Sequence, residues 1–214
     1  MFSREKDRYE FRESIQEQLT LARRTPENRL YLTSSNEWNC VQTEKAYLWF
    51  QQKLCGLTGI GISNEATIQA LQKNGEGKQR ILKEMLLADL GICDVVLSGT
   101  KEKPIISTVH QIIADNGSKK EYRLLLGQES AGTQRFFARI GLWMDAMKRG
   151  AVLVVDEIEA SMHPLLTRHL IEMMQNQTIN QNHAQLVFTT HDTCLLDLKL
   201  LRRDQIWFAE KDEK

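Results

Sequence analysis

Two adjacent acids, Asp156 and Glu157, follow directly on a run of apolar, mostly β-branched residues at 151–155. Such a run predicts a parallel strand that is buried on both faces. Parallel α/β sheets bind ligands at the carboxyl ends of their strands, which is where these acids fall. Two ionised groups at that place are costly unless something uses their charge. The segment therefore predicts a magnesium ion and a water to be activated, and the alternative is a strand that ends in a solvated acidic turn.

A second polar segment lies upstream, where Ser130, Ala131 and Gly132 precede a predicted helix over 135–148. Serine is a common N-cap, and the two small residues after it leave the backbone N–H groups open to another body. The first N–H groups of a helix have no partner within the helix, so they can bind an anion. The segment therefore predicts an anion site at the start of this helix.

The segment 185–190, with Leu-Val-Phe at 186–188, predicts another buried strand, and it ends at His191. Between the two strands, residues 164–175 predict a helix with its apolar residues on one roughly continuous face. Strand, helix and strand at this length predict a right-handed parallel crossover. We therefore expect Asp156, Glu157 and His191 to lie along one edge of the sheet.

These segments together resemble the second half of an ABC-class ATPase, over about residues 127–210. In chain order, the matches are Ser-Ala-Gly-Thr-Gln at 130–134 with the signature motif, Leu-Val-Val-Asp-Glu at 153–157 with Walker B, Ala-Ser-Met-His-Pro at 160–164 with the D-loop, and Thr-Thr-His-Asp at 189–192 with the switch-histidine segment. Their wording is closer to stand-alone prokaryotic AAA-type ATPases than to transporter subunits. Those relatives are similar to the overcoming-lysogenization-defect and RecF/SMC proteins, many of which belong to phage-defence or DNA-maintenance systems.

The resemblance implies an α/β fold of the P-loop NTPase type, a parallel sheet flanked by helices, with ATP and Mg²⁺ as cofactors. Asp156 would hold the magnesium ion through water. Glu157 would polarise the attacking water as general base, and His191 would contact the γ-phosphate and report its loss. The leading function is therefore ATP hydrolysis that drives a conformational switch.

The resemblance also implies a second subunit. Ser130 and the Gly132 backbone are implied to serve the γ-phosphate of ATP held by that subunit, and Ala131 and Gln134 are implied to bind the nucleotide with them. Hydrolysis would then depend on dimerisation, and ATP would act as a reversible clamp. Glu159 and His163 lie at or near the D-loop, and for both a functional role and a role in shaping the interface stay open.

One motif of the resembled family, the phosphate-binding loop G-x-x-x-x-G-K-[ST], does not occur in these 214 residues. The nearest segment, 74–79, lacks the spacing and the Ser/Thr. The family carries this loop and its glutamine loop earlier in the chain, which predicts an ATPase without its first lobe: an excised piece, a truncated gene product or half of a split enzyme. A homodimer partner or another subunit would supply Walker A. The alternative is a non-enzymatic dimerisation or partner-binding lobe.

Composition predicts a cytoplasmic globular protein, with 42% hydrophobic residues and 28 basic against 28 acidic side chains. The balanced charge provides no global field that would recruit nucleic acid, so nucleic acid or an effector nuclease enters as a partner only through the resemblance. No apolar run is long enough for a membrane span, and no signal-peptide pattern is present. The four cysteines have no metal-ligand spacing, which favours buried free thiols.

Around the motifs, the pattern predicts a mainly helical arm over 1–93, a small antiparallel β region over 94–126 and the ATPase part over 127–214. Asn-Gly at 116–117, between two alternating runs, predicts a β-hairpin. Residues 205–209 predict a final sheet strand. Four aromatic residues of the arm could form a stacking platform for bases, but their helical spacing favours core packing: Trp38, Tyr47, Trp49 and Phe50.

Overall fold

The computed structural model describes residues 2–5, 8–11, 16–57, 63–73, 75–87, 91–100, 102–113 and 117–211. The chain divides into two compact units, Met1–Leu54 and Cys55–Lys214. Within the described ranges, no helix combines the length and the apolar character that a membrane crossing needs. The division into three segments made from the sequence stays a prediction.

The first unit consists of β1 Phe2–Glu5, β2 Arg8–Phe11, α1 Gln16–Arg24, α2 Tyr31–Glu37 and α3 Val41–Lys53, with β1 and β2 paired antiparallel. Its buried apolar cluster is Leu21, Ala22, Tyr31 and Cys40. The expectation that the aromatic residues here are core is wrong, because Trp38, Trp49 and Phe50 are about half exposed and Tyr47 is only partly buried. The last three lie on α3, in which Thr43 is the buried residue; Trp38 follows the end of α2.

The second unit begins one residue into β3, which spans Leu54–Leu57. It continues, in order, with α4 Glu65–Gln72, α5 Glu76–Leu87, β4 Ile92–Gly99, β5 Pro104–Ile113, β6 Lys119–Leu125, α6 Ala131–Arg149, β7 Val152–Val155, α7 Pro164–Gln175 and β8 Gln185–Phe188. One sheet has the order β3–β7–β8, in which β7 and β8 are parallel. The other is the antiparallel sheet β4–β5–β6, which contains the predicted hairpin. The predicted α/β class, with a parallel sheet flanked by helices and an antiparallel hairpin, is confirmed.

Helix α6 lies at the centre of the core. Its apolar residues recur at a spacing of three and four, which is the period of a helix with one buried face: Phe136, Ile140, Trp143 and Met147. Trp143 is fully buried and donates its indole N–H to the Leu170 carbonyl of α7 at 3.1 Å. Met147 is buried as well, and Met144 packs against the core while partly buried. Each large apolar side chain buried here stabilises the fold by about 1.5–3 kcal/mol.

Helix α4 approaches α6 so closely that the contact requires a glycine. Thr67 of α4 is fully buried; its hydroxyl donates to the Phe137 carbonyl at 2.6 Å and accepts from the Gly141 N–H at 3.1 Å. A Cβ atom on Gly141 would overlap the backbone of Thr67. The two hydrogen bonds of Thr67 therefore form only because the absence of a side chain at Gly141 lets α4 lie this close to α6.

We expect Gly141→Ala to lower the free energy of unfolding by about 1–3 kcal/mol, the usual cost of overpacking a close contact. Urea denaturation followed by circular dichroism measures this change. Gly127→Ala is the matched control, because no heavy atom lies within 4 Å of the position of its Cβ. A Gly141→Ala variant that unfolds at the same urea concentration as the Gly127→Ala variant would contradict the close contact of α4 with α6.

Two segments differ from their predictions. The predicted final strand at 205–209 is wrong: a short 3-10 helix, Arg203–Gln205, is followed by residues without regular structure. Trp207 and Phe208 are 89% and 78% exposed, and none of the described strands pairs with this segment. Conversely, β3 lies in the region predicted to be helical, because a four-residue strand that contains Gly56 shows too little periodicity.

Candidate active site

The two parallel strands end side by side, and polar residues follow both of them. β7 and β8 are paired up to Val155 and Phe188, their last residues. Asp156 and Glu157 follow β7 directly, and His191 comes three residues after β8. The predicted placement of these three residues at one edge of the sheet is confirmed. Their chemical roles stay predictions.

Thr189 ties the two strand ends together. Its hydroxyl donates to Asp156 Oδ1 at 2.6 Å and accepts from the Glu157 N–H at 2.8 Å. Its carbonyl accepts from the Ile158 N–H at 3.1 Å. Glu157 has φ +49°, a left-handed conformation that costs a residue with a Cβ atom about 1–2 kcal/mol. The hydrogen bonds to Thr189 stabilise this turn through the backbone. The Glu157 side chain is not needed for them and is exposed to solvent.

His191 and Glu157 are open to solvent and face each other. His191 Nε2 lies 3.8 Å from Glu157 Oε1, and the two side chains are 85% and 55% exposed. This distance exceeds that of a hydrogen bond, and an exposed pair at such a distance contributes little to stability. Both side chains can therefore contact the same ligand, because no hydrogen bond joins them to each other.

Glu159 lies in the turn after β7 and binds the segment after β8. Its Oε2 accepts from the Thr190 hydroxyl at 2.7 Å, and its Oε1 accepts from the His191 N–H at 2.7 Å. Partial burial acts to raise the pKa of Glu159, but the hydrogen bonds from His191 and Thr190 outweigh it and hold this pKa below its ordinary value. Glu159 is therefore ionised at neutral pH.

Helix α6 begins at the predicted signature residues. Ser130 is its N-cap, and the hydroxyl accepts from the Thr133 N–H at 3.1 Å. Ser130 and Ala131 are exposed, and Gly132 is partly buried. A Cβ atom on Gly132 would lie 3.8 Å from the Ser161 carbonyl oxygen. The helix start is thus open to solvent, next to the turn that follows β7.

The loop before α6 is anchored to the antiparallel sheet, which the sequence did not indicate. Glu129 Oε1 accepts from the Thr108 hydroxyl and lies 2.6 Å from His110 Nε2, and both partners are on β5. Gln134 Nε2 donates to the Glu129 carbonyl at 2.8 Å. The Gln134 amide is therefore engaged within its own loop, and its predicted contact with nucleotide stays a prediction.

A buried arginine supports the turn after β7. Arg139 of α6 is fully buried, and its Nη1 donates to the Ile158 carbonyl and lies 3.6 Å from Met162 Sδ. Burial, with a smaller effect of Arg135, lowers the pKa of Arg139 to about 10, while Glu159 acts in the opposite direction. Arg139 is thus still a cation at neutral pH. Arg139 could have been predicted from the sequence, because it is a charged residue among the apolar positions of a predicted helix.

His163 has a structural role in the described residues. It is the N-cap of α7, where its Nδ1 accepts from the Leu165 N–H at 3.3 Å, and Pro164 occupies the first helical position. Proline is common at this position because a backbone N–H there would have no acceptor within the helix, so its absence costs nothing. This contact caps α7 locally, so a functional role of His163 and a role in shaping the interface both stay open.

The residues at the strand ends fit a magnesium–nucleotide complex. Asp156 is exposed, and its Oδ1 alone takes part in a hydrogen bond within the described residues. Magnesium is usually held by one or two carboxylates together with phosphate oxygens and water, so it needs no cage of protein ligands. The described ranges contain no group of three or more His, Cys, Asp or Glu side chains suited to a metal ion. Asp156 would hold the ion, with Glu157 and His191 beside it.

Comparison with known proteins agrees with this fold. Residues 6–197 match the family described as AAA domain, putative AbiEii toxin, Type IV TA system. No curated protein matches the chain. The family match includes α6, both strands of the parallel pair and the residues at their ends. The chain therefore belongs to this family of AAA domains and is a P-loop ATPase-like domain.

Proposed function

We propose that this chain is the signature, Walker B and switch-histidine part of an ATPase that binds and hydrolyses Mg-ATP. The observation that carries the proposal is the placement of Asp156, Glu157 and His191 at the carboxyl ends of β7 and β8, with the last two side chains 3.8 Å apart. Ligands of parallel α/β sheets bind at this place. Membership of an AAA family supports a nucleotide as the ligand.

Each residue of the strand ends has a separate task in this proposal. Magnesium at Asp156 would neutralise charge on the phosphate oxygens. Glu157 is proposed to accept a proton from the attacking water; its carboxylate is exposed to solvent, and its turn is held through the backbone. His191 donates from its imidazole to a γ-phosphate oxygen. Thr189 keeps Asp156 and Glu157 in register by its two hydroxyl hydrogen bonds.

A second subunit is proposed to complete the site, with ATP as a reversible clamp between the two. Ser130 and the start of α6 are exposed, and backbone N–H groups at a helix start bind phosphate well. Gly132 carries no side chain that would keep a ligand away. The γ-phosphate bound here would belong to ATP held by the partner, so that hydrolysis requires the dimer.

The phosphate loop is proposed to come from a homodimer partner or from another subunit. β8 is an outer strand of its three-stranded sheet, and it borders a cavity of about 580 Å³ lined in part by Leu186, Phe188, Leu200 and Leu201. An outer strand can accept a further strand through its backbone N–H and C=O groups. The strand that carries the phosphate loop is proposed to pair at this edge.

The family description supports a role in phage defence, since it names a putative AbiEii toxin and a type IV TA system. The likeness to the overcoming-lysogenization-defect and RecF/SMC group points in the same direction and adds DNA maintenance. We propose a cytoplasmic ATPase whose nucleotide state controls a partner, either nucleic acid or an effector nuclease.

A second candidate function is a non-catalytic lobe that dimerises or binds a partner. It is favoured by the lack of G-x-x-x-x-G-K-[ST] within the 214 residues. In that case the strand-end acids would bind no nucleotide, and the exposed helix start would contact protein only.

The two functions are distinguished in the assembled ATPase, meaning this chain together with the polypeptide segment that carries its phosphate loop. That segment is sought in the same reading frame before Met1 and in the adjacent genes. Phosphate release that rises above that of either part alone supports the ATPase. If a well-folded assembly releases no phosphate from Mg-ATP, the non-catalytic lobe is correct.

We expect the 214-residue chain alone to bind Mg-ATP with a Kd of about 1 mM or weaker. The strand ends offer two carboxylates and one imidazole, but no cradle of successive backbone N–H groups for the β- and γ-phosphates. Calorimetric titration with Mg-ATP measures the Kd, with Mg²⁺ alone as the control. Micromolar affinity would reject this expectation and would require a complete triphosphate site within these residues.

A further inference from the structure

We propose that Glu159 is the positioning residue of the switch histidine, which it holds through the backbone of His191. The role of His191 rests on the proposed function, but the hold itself can be measured without any nucleotide. Both carboxylate oxygens are used on consecutive residues: Oε2 on the Thr190 hydroxyl and Oε1 on the His191 N–H, each at 2.7 Å.

The place of Glu159 in the fold explains why such a hold is needed. Backbone pairing between the strand ends continues beyond the ladder only as far as Thr189, whose N–H donates to Val155 and whose carbonyl accepts from Ile158. After Ile158 the first segment turns, and among the described residues the His191 N–H donates to a carboxylate instead of a backbone carbonyl. The Glu159 carboxylate takes the place of that carbonyl, 32 residues away in sequence.

The His191 side chain has little else to fix its position. It is 85% exposed, and its contact with Glu157 at 3.8 Å is too long for a hydrogen bond. The imidazole is therefore placed by its own backbone, and that backbone is placed by Glu159. Hydrogen bonds to an ionised acceptor are about twice as strong as neutral ones, so the bond from the His191 N–H to the Glu159 carboxylate holds the His191 backbone firmly.

Glu159 is in turn connected to the signature helix. Arg139 of α6 holds the carbonyl of Ile158, the residue immediately before Glu159, and it is close enough for its charge to interact with the Glu159 carboxylate. Arg139 of α6 thus stabilises the turn that carries Glu159. Glu159 in turn stabilises the segment that contains Thr190 and His191.

The test uses the 214-residue chain with three variants: Glu159→Ala, Glu159→Gln and, as control, Glu210→Ala at an exposed acid. Amide hydrogen exchange at His191 and the NMR signal of its imidazole are recorded. We expect Glu159→Ala to speed exchange at His191 by at least about tenfold and to shift the imidazole signal. Glu159→Gln should retain most of the protection, because its amide can accept from the His191 N–H and donate to the Thr190 hydroxyl. Glu210→Ala should match the wild type.

If Glu159→Ala does not fold, Glu159→Asp replaces it, since the shorter side chain cannot reach both donors. Unchanged exchange and an unchanged imidazole signal in the folded variant would overturn the proposal. In the assembled ATPase, Glu159→Ala should lower kcat by about tenfold or more with little change in the KM for ATP. Altered exchange with unchanged kcat would overturn the functional part. An assembly that hydrolyses no ATP would reject the proposed function alone, because the exchange result stands without it.

Discussion

Glu157→Gln should lower ATP turnover by the assembled ATPase by on the order of 10²–10⁴-fold, the usual loss when a general base is removed. Glutamine has nearly the same shape as glutamate, and the turn is held by the bond from the Glu157 N–H to Thr189, which the substitution does not touch. Nucleotide binding should therefore persist, and the variant should accumulate as an ATP-bound dimer. Phosphate release and light scattering measure the two effects.

The matched control for this variant is Glu172→Gln, an exposed acid on α7 that pairs with Arg168 away from the strand ends. It makes the same chemical change and should leave turnover at the wild-type rate. Wild-type turnover by Glu157→Gln would show that another group activates the water, and the assignment of Glu157 as base would be wrong.

Gly132→Asp should lower ATP-dependent dimerisation and turnover by on the order of 10²-fold or more, because a carboxylate would face the partner's γ-phosphate and like charges in an interface cost several kcal/mol. The fold should tolerate the change. Gly132 lies in the first turn of α6, where an acidic residue is favourable for the helix dipole. The nearest atoms to its Cβ would be 3.8–3.9 Å away, an ordinary contact.

Gly132→Ala provides the control for folding at this position. It should be at least as stable as the wild type, since alanine favours the helix by about 1 kcal/mol over glycine. Unfolding midpoints separate the two effects. If Gly132→Asp is stable and dimerises with ATP as the wild type does, the start of α6 is not the partner's phosphate site.

The strand-end site could be predicted because its pattern is local. Each of the two apolar runs ends abruptly in polar residues, and a helix of suitable length lies between them. These features predict the parallel pair and the common position of Asp156, Glu157 and His191. The start of α6 was predictable for the same reason, since Ser130 caps the helix within its own loop.

The contacts that hold the site could not be predicted, because they join residues distant in sequence. Glu129 meets His110 across 19 residues, and Glu159 meets His191 across 32 residues. The spacing of these residues in the sequence does not predict such pairs. They are brought together by the register of the strands, which is known only from the structure. The exposure of Trp49 in the first unit has a related cause, since helical spacing alone does not show whether another element covers that face.

The central claim, that two subunits share each ATP site, is tested most directly by mixing two inactive variants of the assembled ATPase. Glu157→Gln removes the base of every site, and Gly132→Asp blocks every partner's phosphate contact. In a mixed dimer with shared sites, one site combines the intact Glu157 of one subunit with the intact Gly132 of the other. If subunits exchange at random in a two-fold dimer, half of the dimers are mixed and carry one active site in two, so phosphate release should return to about one quarter of the wild-type rate. If each subunit forms its own site, the mixture should stay as inactive as its components, which would contradict the account.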